Sequence, residues 1–595
     1  MSERLATERN WMWSDLAVAL ALFAATAAVV VWQNSRLGVL WDASYILENS
    51  FRISAGDVPY RDFPFPYAPL TFLTQAAIIK LTGRVFWHHI AYCAVVGGLS
   101  TVLAWRILLN ILRGTIAHAR LLASTLSAPL VVLGVYCIYP HPFYDPDCTF
   151  FILVCILLLQ LSERKPSASW LAFLTGVALV VPLFIKQNTG LAFLCSTVIV
   201  LIALLIVEAW NKRSMRRYVW LLAGIFAGLG AALLLIQFTA GLNNYVRWTI
   251  RFAAARRAPP LSEMLEIYKN YLLLLWLFVF AAGIVLWWLN RKGNRALTIL
   301  SACLMSLPFA WAVVYLLIDN DPSEQAERLL AVWPFVLVVS TVFALLSLRR
   351  RTGVALILPF ILIGTVHGAF LSQQLWGSTY AIWPLLLILV ATTITNLFYL
   401  IRKEQEENSF SWLSVPLATL VAASLLIAGA RYVWTNERLE YANLSDGDMA
   451  RSKLPALKGL SVRGDWIPDF EELVDYAEKN IPREDGILMI PGEDLFYYTT
   501  GRRPRFPVLM FDHTVNPYSP EEILGLARNR DIRWLIVKGD LQLEDDQVDA
   551  DKDQMLKILE QDFKQVESLN NYDIYQRKTG NEDEDEGDDE DDSDN

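Results

Sequence analysis

The sequence predicts a polytopic α-helical membrane protein of about thirteen transmembrane helices, followed by a small C-terminal α/β domain. Three observations predict it. Hydrophobic residues make up 54% of the chain and mean hydropathy is +0.36. Charged residues make up only 19%, below the roughly 25% of soluble domains. Apolar runs of spanning length fill residues 14–430, where a soluble chain of this size would break into several cores with charged surfaces between them. The net charge of −9 misleads, because residues 582–594 (EDEDEGDDEDDSD) hold much of the acid. That low-complexity run cannot bury a core and reads as a disordered end.

A bilayer core takes about 20 apolar helical residues. Candidate spans fall at 14–32, 87–112, 121–139, 148–161, 168–185, 189–209, 218–239, 271–289, 297–318, 329–347, 353–371, 380–400 and 411–430. The fourth is short. No A-x-A-like cleavage site follows the first run, which reads as an uncleaved anchor. With Arg4 and Arg9 placed in the cytoplasm, alternate loops carry Arg113 and Arg120; Arg164 and Lys165; Lys212, Arg213, Arg216 and Arg217; Arg291, Lys292 and Arg295; Arg349 to Arg351; Arg402 and Lys403. Every inner loop thus obeys the positive-inside rule. An odd number of spans places the rest of the chain on the outer side of the cytoplasmic (inner) membrane.

The expected organisation is a membrane body over 1–430 that includes an outer loop at 33–86, a linker at 431–459, a soluble outer domain at 460–578 and an acidic tail at 579–595. In the soluble domain, IPDFEELVDYAEKN has helical period, GILMIP and WLIVKG read as buried strands, and NNYDIYQRK alternates. Ser519 and Glu522 stand at capping-box spacing. No GxGxxG, P-loop or triad occurs there. The six cysteines lie in or beside apolar segments without CxxC spacing and read as small core residues. His88 and His89 have no third ligand near in sequence.

The first outer loop reads WDASYILENSFRISAGDVPYRDFPFPYAPLTFLTQAAIIKLTG. Residues 42–54 have a helical apolar face and suit a helix in the interface, prolines then turn the chain repeatedly, and TFLTQAAIIKLTG is an apolar helix too short to span. Asp42, where the first span meets this loop, is placed to act as a general base or metal ligand; it equally suits an N-cap. Asp145 and Asp147 in YPHPFYDPDCTF form D-x-D, a spacing at which two carboxylates can share a hard divalent cation such as Mg or Mn, or cap a proline turn. Lys186 in FIKQNTG can pair with a carboxylate or phosphate, or snorkel to the headgroups. Residues 240–270 break the charge rule with Arg247, Arg251, Arg256, Arg257 and Lys269, which suits an anionic ligand at the membrane surface; a tolerated charge cluster is the plain alternative. Arg328, after the acidic stretch Asp319 to Glu327, suits a lipid phosphate or an interfacial anchor.

WDASYIL, then GDVPYRDFPFPYAPL, then a short apolar helix ahead of the second span, resembles the polyprenyl-phosphate-sugar glycosyltransferases of the GT-C superfamily. The closest likeness is to the branch with protein O-mannosyltransferases and lipid A aminoarabinose transferases. The resemblance covers roughly residues 10–430 and is strongest over 36–112. It implies a hexosyl- or pentosyltransferase of the cell envelope. The donor is a polyprenyl-phosphate-linked sugar, the acceptor a lipid, glycan or protein hydroxyl, and no nucleic acid is involved. Asp42 matches the family's essential acidic residue of the first outer loop. Many members have Asp-Glu where this chain has Asp42-Ala43, so Glu48 is the candidate to substitute in part. Asp145 and Asp147 match the metal-binding pair of some members, and Lys186, Arg247, Arg251, Arg256, Arg257 and Arg328 are candidates for the donor phosphate. A transporter or flippase of lipid-linked glycans is the rival reading, although no internal repeat of the kind transporters show is visible.

Overall fold

The computed structural model describes residues 2–578 except 117, 257–259, 261, 263, 264, 291–293, 319–328, 373–379, 402–406, 436–441 and 445. The expected acidic tail, Arg257, Arg328 and the stretch from Asp319 to Glu327 lie outside the described residues. The chain forms two compact units. One comprises 1–37, 67–71 and 88–439; the other comprises 38–66, 72–87 and 440–595.

The first unit is helical. Among the described residues, nine helices are long and apolar enough to cross a membrane: Trp13–Asn34, Phe86–Leu112, Tyr144–Arg164, Gln187–Trp210, Arg216–Thr239, Leu272–Leu289, Arg295–Ile318, Trp383–Leu400 and Leu413–Trp434. Shorter apolar helices occupy three more of the expected spans, at Ser169–Phe184, Val332–Leu346 and Val354–Phe370. The expected span 121–139 is instead broken, into Ala119–Ser127 and Leu130–Leu133. Proline at 129 and glycine at 134 bracket the second piece, and neither continues a helix well. The fourth span is longer than expected, because its helix starts at Tyr144 and takes Asp145 and Asp147 into its first turn. Acidic side chains suit that end of the helix dipole, and proline is tolerated where no intrahelical amide is needed. Two helices meet through Gly176 and Gly224. A Cβ on Gly176 would come within 2.1 Å of the Leu221 carbonyl oxygen, and one on Gly224 within 2.0 Å of that of Phe173, as small-residue crossings in membranes require.

Side-chain contacts sort the helix ends into two sets, and the sets match the charge alternation. At one end Asp15 pairs with Arg120 at 2.8 Å, Arg164 donates to Asn110 at 2.7 Å, Arg217 lies 3.7 Å from Glu163, the Val354 amide donates to Glu163 at 2.9 Å, and Arg351 donates to Asn396 at 2.8 Å. At the other end Asn34 meets His141 at 3.2 Å, Tyr139 packs on Tyr380, Phe184 on Tyr245, and Tyr268 meets His367 at 2.8 Å. Gln33 donates to the Val433 carbonyl at 2.9 Å and Trp32 packs on Trp434. The first and last helices therefore end on the same side, as an odd number of crossings demands.

The second unit is built on a four-stranded sheet. Its strands are β3 (Gly486–Ile490), β4 (Ile532–Lys538), β5 (Phe563–Ser568) and β6 (Tyr572–Arg577), in the order β3-β4-β6-β5. β3 and β4 are parallel; the other pairs are antiparallel. A short antiparallel pair, β1 (Met449–Arg451) and β2 (Ser461–Arg463), forms a separate two-stranded sheet. The β3 run is buried along its whole length, which is why GILMIP is continuously apolar rather than alternating. Helices Trp466–Asn480, Pro520–Asn529 and Asp546–Leu559 complete the α/β arrangement. The capping box is formed: the Glu522 amide donates to Ser519 Oγ at 3.3 Å and the Ser519 amide to Glu522 at 2.9 Å. Residues 38–66 and 72–87 of the expected outer loop fold into this unit, as does the part of the expected linker from 440. The helices foreseen there span Leu40–Ser54 and Leu70–Thr82.

Of the six cysteines, Cys93, Cys137, Cys148 and Cys155 are buried thiols and Cys195 and Cys303 are exposed, all unpaired.

Candidate functional site

In the helical unit a polar cluster lies at the end that the charge rule places outward. The first turn of helix Tyr144–Arg164 supplies Asp145 and Asp147, both buried. Lys186 stands immediately before helix Gln187–Trp210 with an extended backbone. Its side chain is 7% exposed and ion-pairs with Asp145, itself 6% exposed. The ammonium also lies 5.6 Å from the centre of the Tyr144 ring, which packs on Phe143 and Tyr67.

Asp147 has a different set of partners. Thr71 Oγ1 donates to one oxygen at 2.8 Å, and the Tyr92 and Tyr136 hydroxyls donate to the other at 2.7 Å each. The carboxyl group is thus held by three neutral donors. In this arrangement the two carboxyl groups have separate partners. A lysine ammonium occupies Asp145, three hydroxyls occupy Asp147, and no group of three or more His, Cys, Asp or Glu able to hold a metal occurs among the described residues. Nor do the two aspartates cap the helix: Phe143 is the N-cap, with no side-chain cap bond.

The basic segment, expected on the outer side, forms a short helix at Leu242–Val246, a π-helical turn at Arg247–Phe252 and a last helical turn at Ala253–Arg256. Arg247, Arg251 and Arg256 are exposed, Arg247 over Trp248 and Arg256 over Phe252. π-Turns are rare and concentrate at functional positions.

In the second unit, helix Leu40–Ser54 carries Asp42 and Glu48 in different settings. Asp42 is in the first turn and partly exposed, inside the helix rather than at its N-cap, which is Val39. Glu48 is 2% exposed and accepts the Tyr498 amide at 3.1 Å. Burial pushes its carboxyl well above the ordinary range, against the Tyr498 and Tyr497 backbone donors and the Arg84 charge. So enclosed, Glu48 is a core group of this unit rather than a stand-in for Asp42.

Reasoning from sequence found Asp145, Asp147 and Lys186 but missed Thr71, Tyr92 and Tyr136. The available signal was hydroxyl-bearing tyrosine inside otherwise apolar runs (AYCAVV and GVYCIY).

No protein-family model matches the sequence, and no curated protein matches it. Among solved structures the chain is similar to ArnT from Cupriavidus metallidurans bound to undecaprenyl phosphate, with 10% identity, 95% of this chain and 98% of that one covered, and a TM-score of 0.42. It is also similar to the oligosaccharyltransferase AglB from Archaeoglobus fulgidus in complex with an inhibitory peptide and a dolichol-phosphate, with 13% identity, 87% and 69% covered, and a TM-score of 0.46. The apo form of the Archaeoglobus fulgidus enzyme gives 11% identity, 88% and 69% covered, and a TM-score of 0.49.

Proposed function

We propose that this chain is a glycosyltransferase of the inner membrane that moves a hexose or pentose from a polyprenyl-phosphate donor to an acceptor hydroxyl on the outer face. One observation carries the reading. A lysine ammonium is buried against a carboxylate and an aromatic ring at one end of an apolar helical body. Ionisable groups kept at that depth are costly and mark function in membrane proteins. The first-loop residues WDASYIL and GDVPYRDFPFPYAPL support the same reading.

Lys186 binds the donor's phosphate, one of its three N–H donors staying on Asp145 while the other two reach phosphate oxygens. The exposed Arg247, Arg251 and Arg256 attract the anionic headgroup, and Arg257 and Arg328 belong to the same basic set. The bond from the sugar's anomeric carbon to the phosphate oxygen breaks as the acceptor oxygen attacks from the opposite face. The configuration inverts and the polyprenyl phosphate leaves with the bonding pair. Cationic donors stabilise that leaving charge as it develops. Asp42 takes the acceptor's proton, a task worth roughly 10²–10⁴-fold.

The test incubates the full chain in detergent with undecaprenyl-phosphate-linked hexoses and pentoses and envelope lipid, and measures released undecaprenyl phosphate. We expect release with at least one sugar, and a loss of about two orders of magnitude or more with Asp42→Asn. Wild-type release by Asp42→Asn, or no release with any sugar, overturns the reading.

A further inference from the structure

Helix Leu40–Ser54 is tied along one stripe to the C-terminal part of its own unit. Leu40, Ser44, Glu48 and Arg52 follow each other at intervals of four and so lie on neighbouring turns of one face. The Leu40 amide donates to Gln542 Oε1 at 2.7 Å. Ser44 Oγ reaches the carbonyls of Gly492 and Asp494, each at 2.8 Å. Glu48 accepts the Tyr498 amide at 3.1 Å, and Arg52 donates to the carbonyls of Phe506 and Pro507 at 3.0 and 2.9 Å. At about 100° per residue, Asp42 stands roughly 200° around the axis from Leu40, on the side away from the stripe.

Gln542 makes two bonds to the chain just ahead of Asp42. While Oε1 accepts from Leu40, Nε2 donates to the Gly38 carbonyl at 2.8 Å. The amide thus pairs with an acceptor and a donor of one backbone stretch, as a neighbouring strand would. Gln542 is itself 1% exposed and is held from behind. Glu493 accepts the backbone amides of Gln542 and Leu543 at 3.0 Å each, and Lys538 neutralises Glu493 at 2.6 Å. The relay runs from Lys538 through Glu493 and Gln542 to the first turn of the helix that carries Asp42.

We infer that Gln542 is a positioning residue for Asp42, fixing the start and the rotation of its helix. This rests on the function proposed above. An exposed glutamine would stabilise little. A buried one with both ends of its amide bonded sets geometry, because leaving either group unpaired is costly. Misplacing a catalytic group by about 1 Å costs on the order of a hundredfold.

The experiment compares wild type, Gln542→Met, Asp42→Asn and the double variant, as full chains in detergent, in the release assay. Amide exchange over residues 38–46 is measured in the same samples. Gln542→Met keeps the length of the side chain and removes both bonds. We expect release to fall roughly tenfold to a hundredfold in kcat with KM for the donor unchanged. In the Asp42→Asn background the same change adds no further loss, since a residue acting through Asp42 is non-additive with it. Exchange rises over 38–46 and is unchanged in the membrane helices. A merely structural role would lower both backgrounds alike and move KM and kcat together. Equal losses in both backgrounds, or unaltered exchange over 38–46, overturns the inference while the function stands. Full release by Asp42→Asn overturns both, and identifies the function as the failed premise.

Discussion

Replacing Lys538 with methionine tests how the second unit is held together. The Lys538 ammonium lies 2.6 Å from Glu493 and 3.0 Å from Asp494, and the three side chains are 1%, 0% and 3% exposed. Trp466 and Tyr572 close over it at 5.2 and 5.9 Å. Methionine fills the space of the stem but removes the ammonium that Glu493 and Asp494 share. Glu493 keeps two backbone amides and Asp494 keeps the Tyr572 hydroxyl at 2.9 Å; both charges lose their counterion. Stripping one partner from a buried pair costs about 3–5 kcal/mol. For a unit of some 150–250 residues each kcal/mol lowers the melting temperature by about 2–4 °C, so the midpoint should fall by roughly 6–20 °C. The assay is intrinsic-fluorescence melting of the full chain in detergent at neutral pH. The triple variant Lys538→Met, Glu493→Gln, Asp494→Asn should recover most of the loss, because neutral groups of similar shape remove the uncompensated charge. A single-variant shift under about 2 °C would refute the reasoning, as would a triple variant less stable than the single one.

Glu48 supplies a pH dependence. Its folded carboxyl titrates well above the ordinary range because of burial, so the folded chain holds a proton that the unfolded chain has released. The stability it contributes is complete at acid pH, falls as pH rises from the ordinary carboxyl range towards the raised value, and is level beyond it. Glu48→Gln should flatten that slope in melting curves taken from pH 4 to 8; an unchanged slope removes Glu48 as its source. Lys186→Met should weaken undecaprenyl phosphate binding by roughly ten- to a hundredfold, the worth of one charge-assisted hydrogen bond. The double variant Lys186→Met, Asp145→Asn should melt near wild type and still bind weakly, and equilibrium binding of labelled lipid reads it; wild-type affinity in either variant would remove Lys186 from the phosphate site.

The membrane body was legible because lipid imposes a rule that a sequence must display. Every spanning backbone group is satisfied within its helix, so spans appear as apolar runs of fixed length. Charge between them sorted the helix ends into two sets, and the pairings Asp15 with Arg120 and Asn34 with His141 each join ends within one set. The D-x-D was visible, but not its use. Which donors reach Asp147 depends on Thr71, Tyr92 and Tyr136 arriving from three other segments, and nothing in the spacing D-P-D encodes them. Lys186 was expected to meet a carboxylate or a phosphate or to snorkel to the headgroups, and in the folded chain it meets Asp145. The division of the chain was the least legible part. The bonds from Leu40, Ser44, Glu48 and Arg52 reach partners more than four hundred positions away, and sequence pattern reports only neighbours along a helix or strand.

That division changes what a truncation can mean. Were the C-terminal segment a free module, its removal would test acceptor recognition alone. Here the helix bearing Asp42 takes its hydrogen bonds from residues 492–507 and 542, and residues 38–66 and 72–87 belong to the same compact unit as 440–595. Deleting the segment would leave the Glu48 carboxyl, the Arg52 guanidinium and the Gly38 carbonyl without the partners that bury them, each a group costly to strand. Loss of activity on truncation would therefore report the collapse of the first-loop helix. Point variants such as Gln542→Met, which leave the rest of the stripe bonded, are the changes that separate holding Asp42 in place from building the unit that holds it.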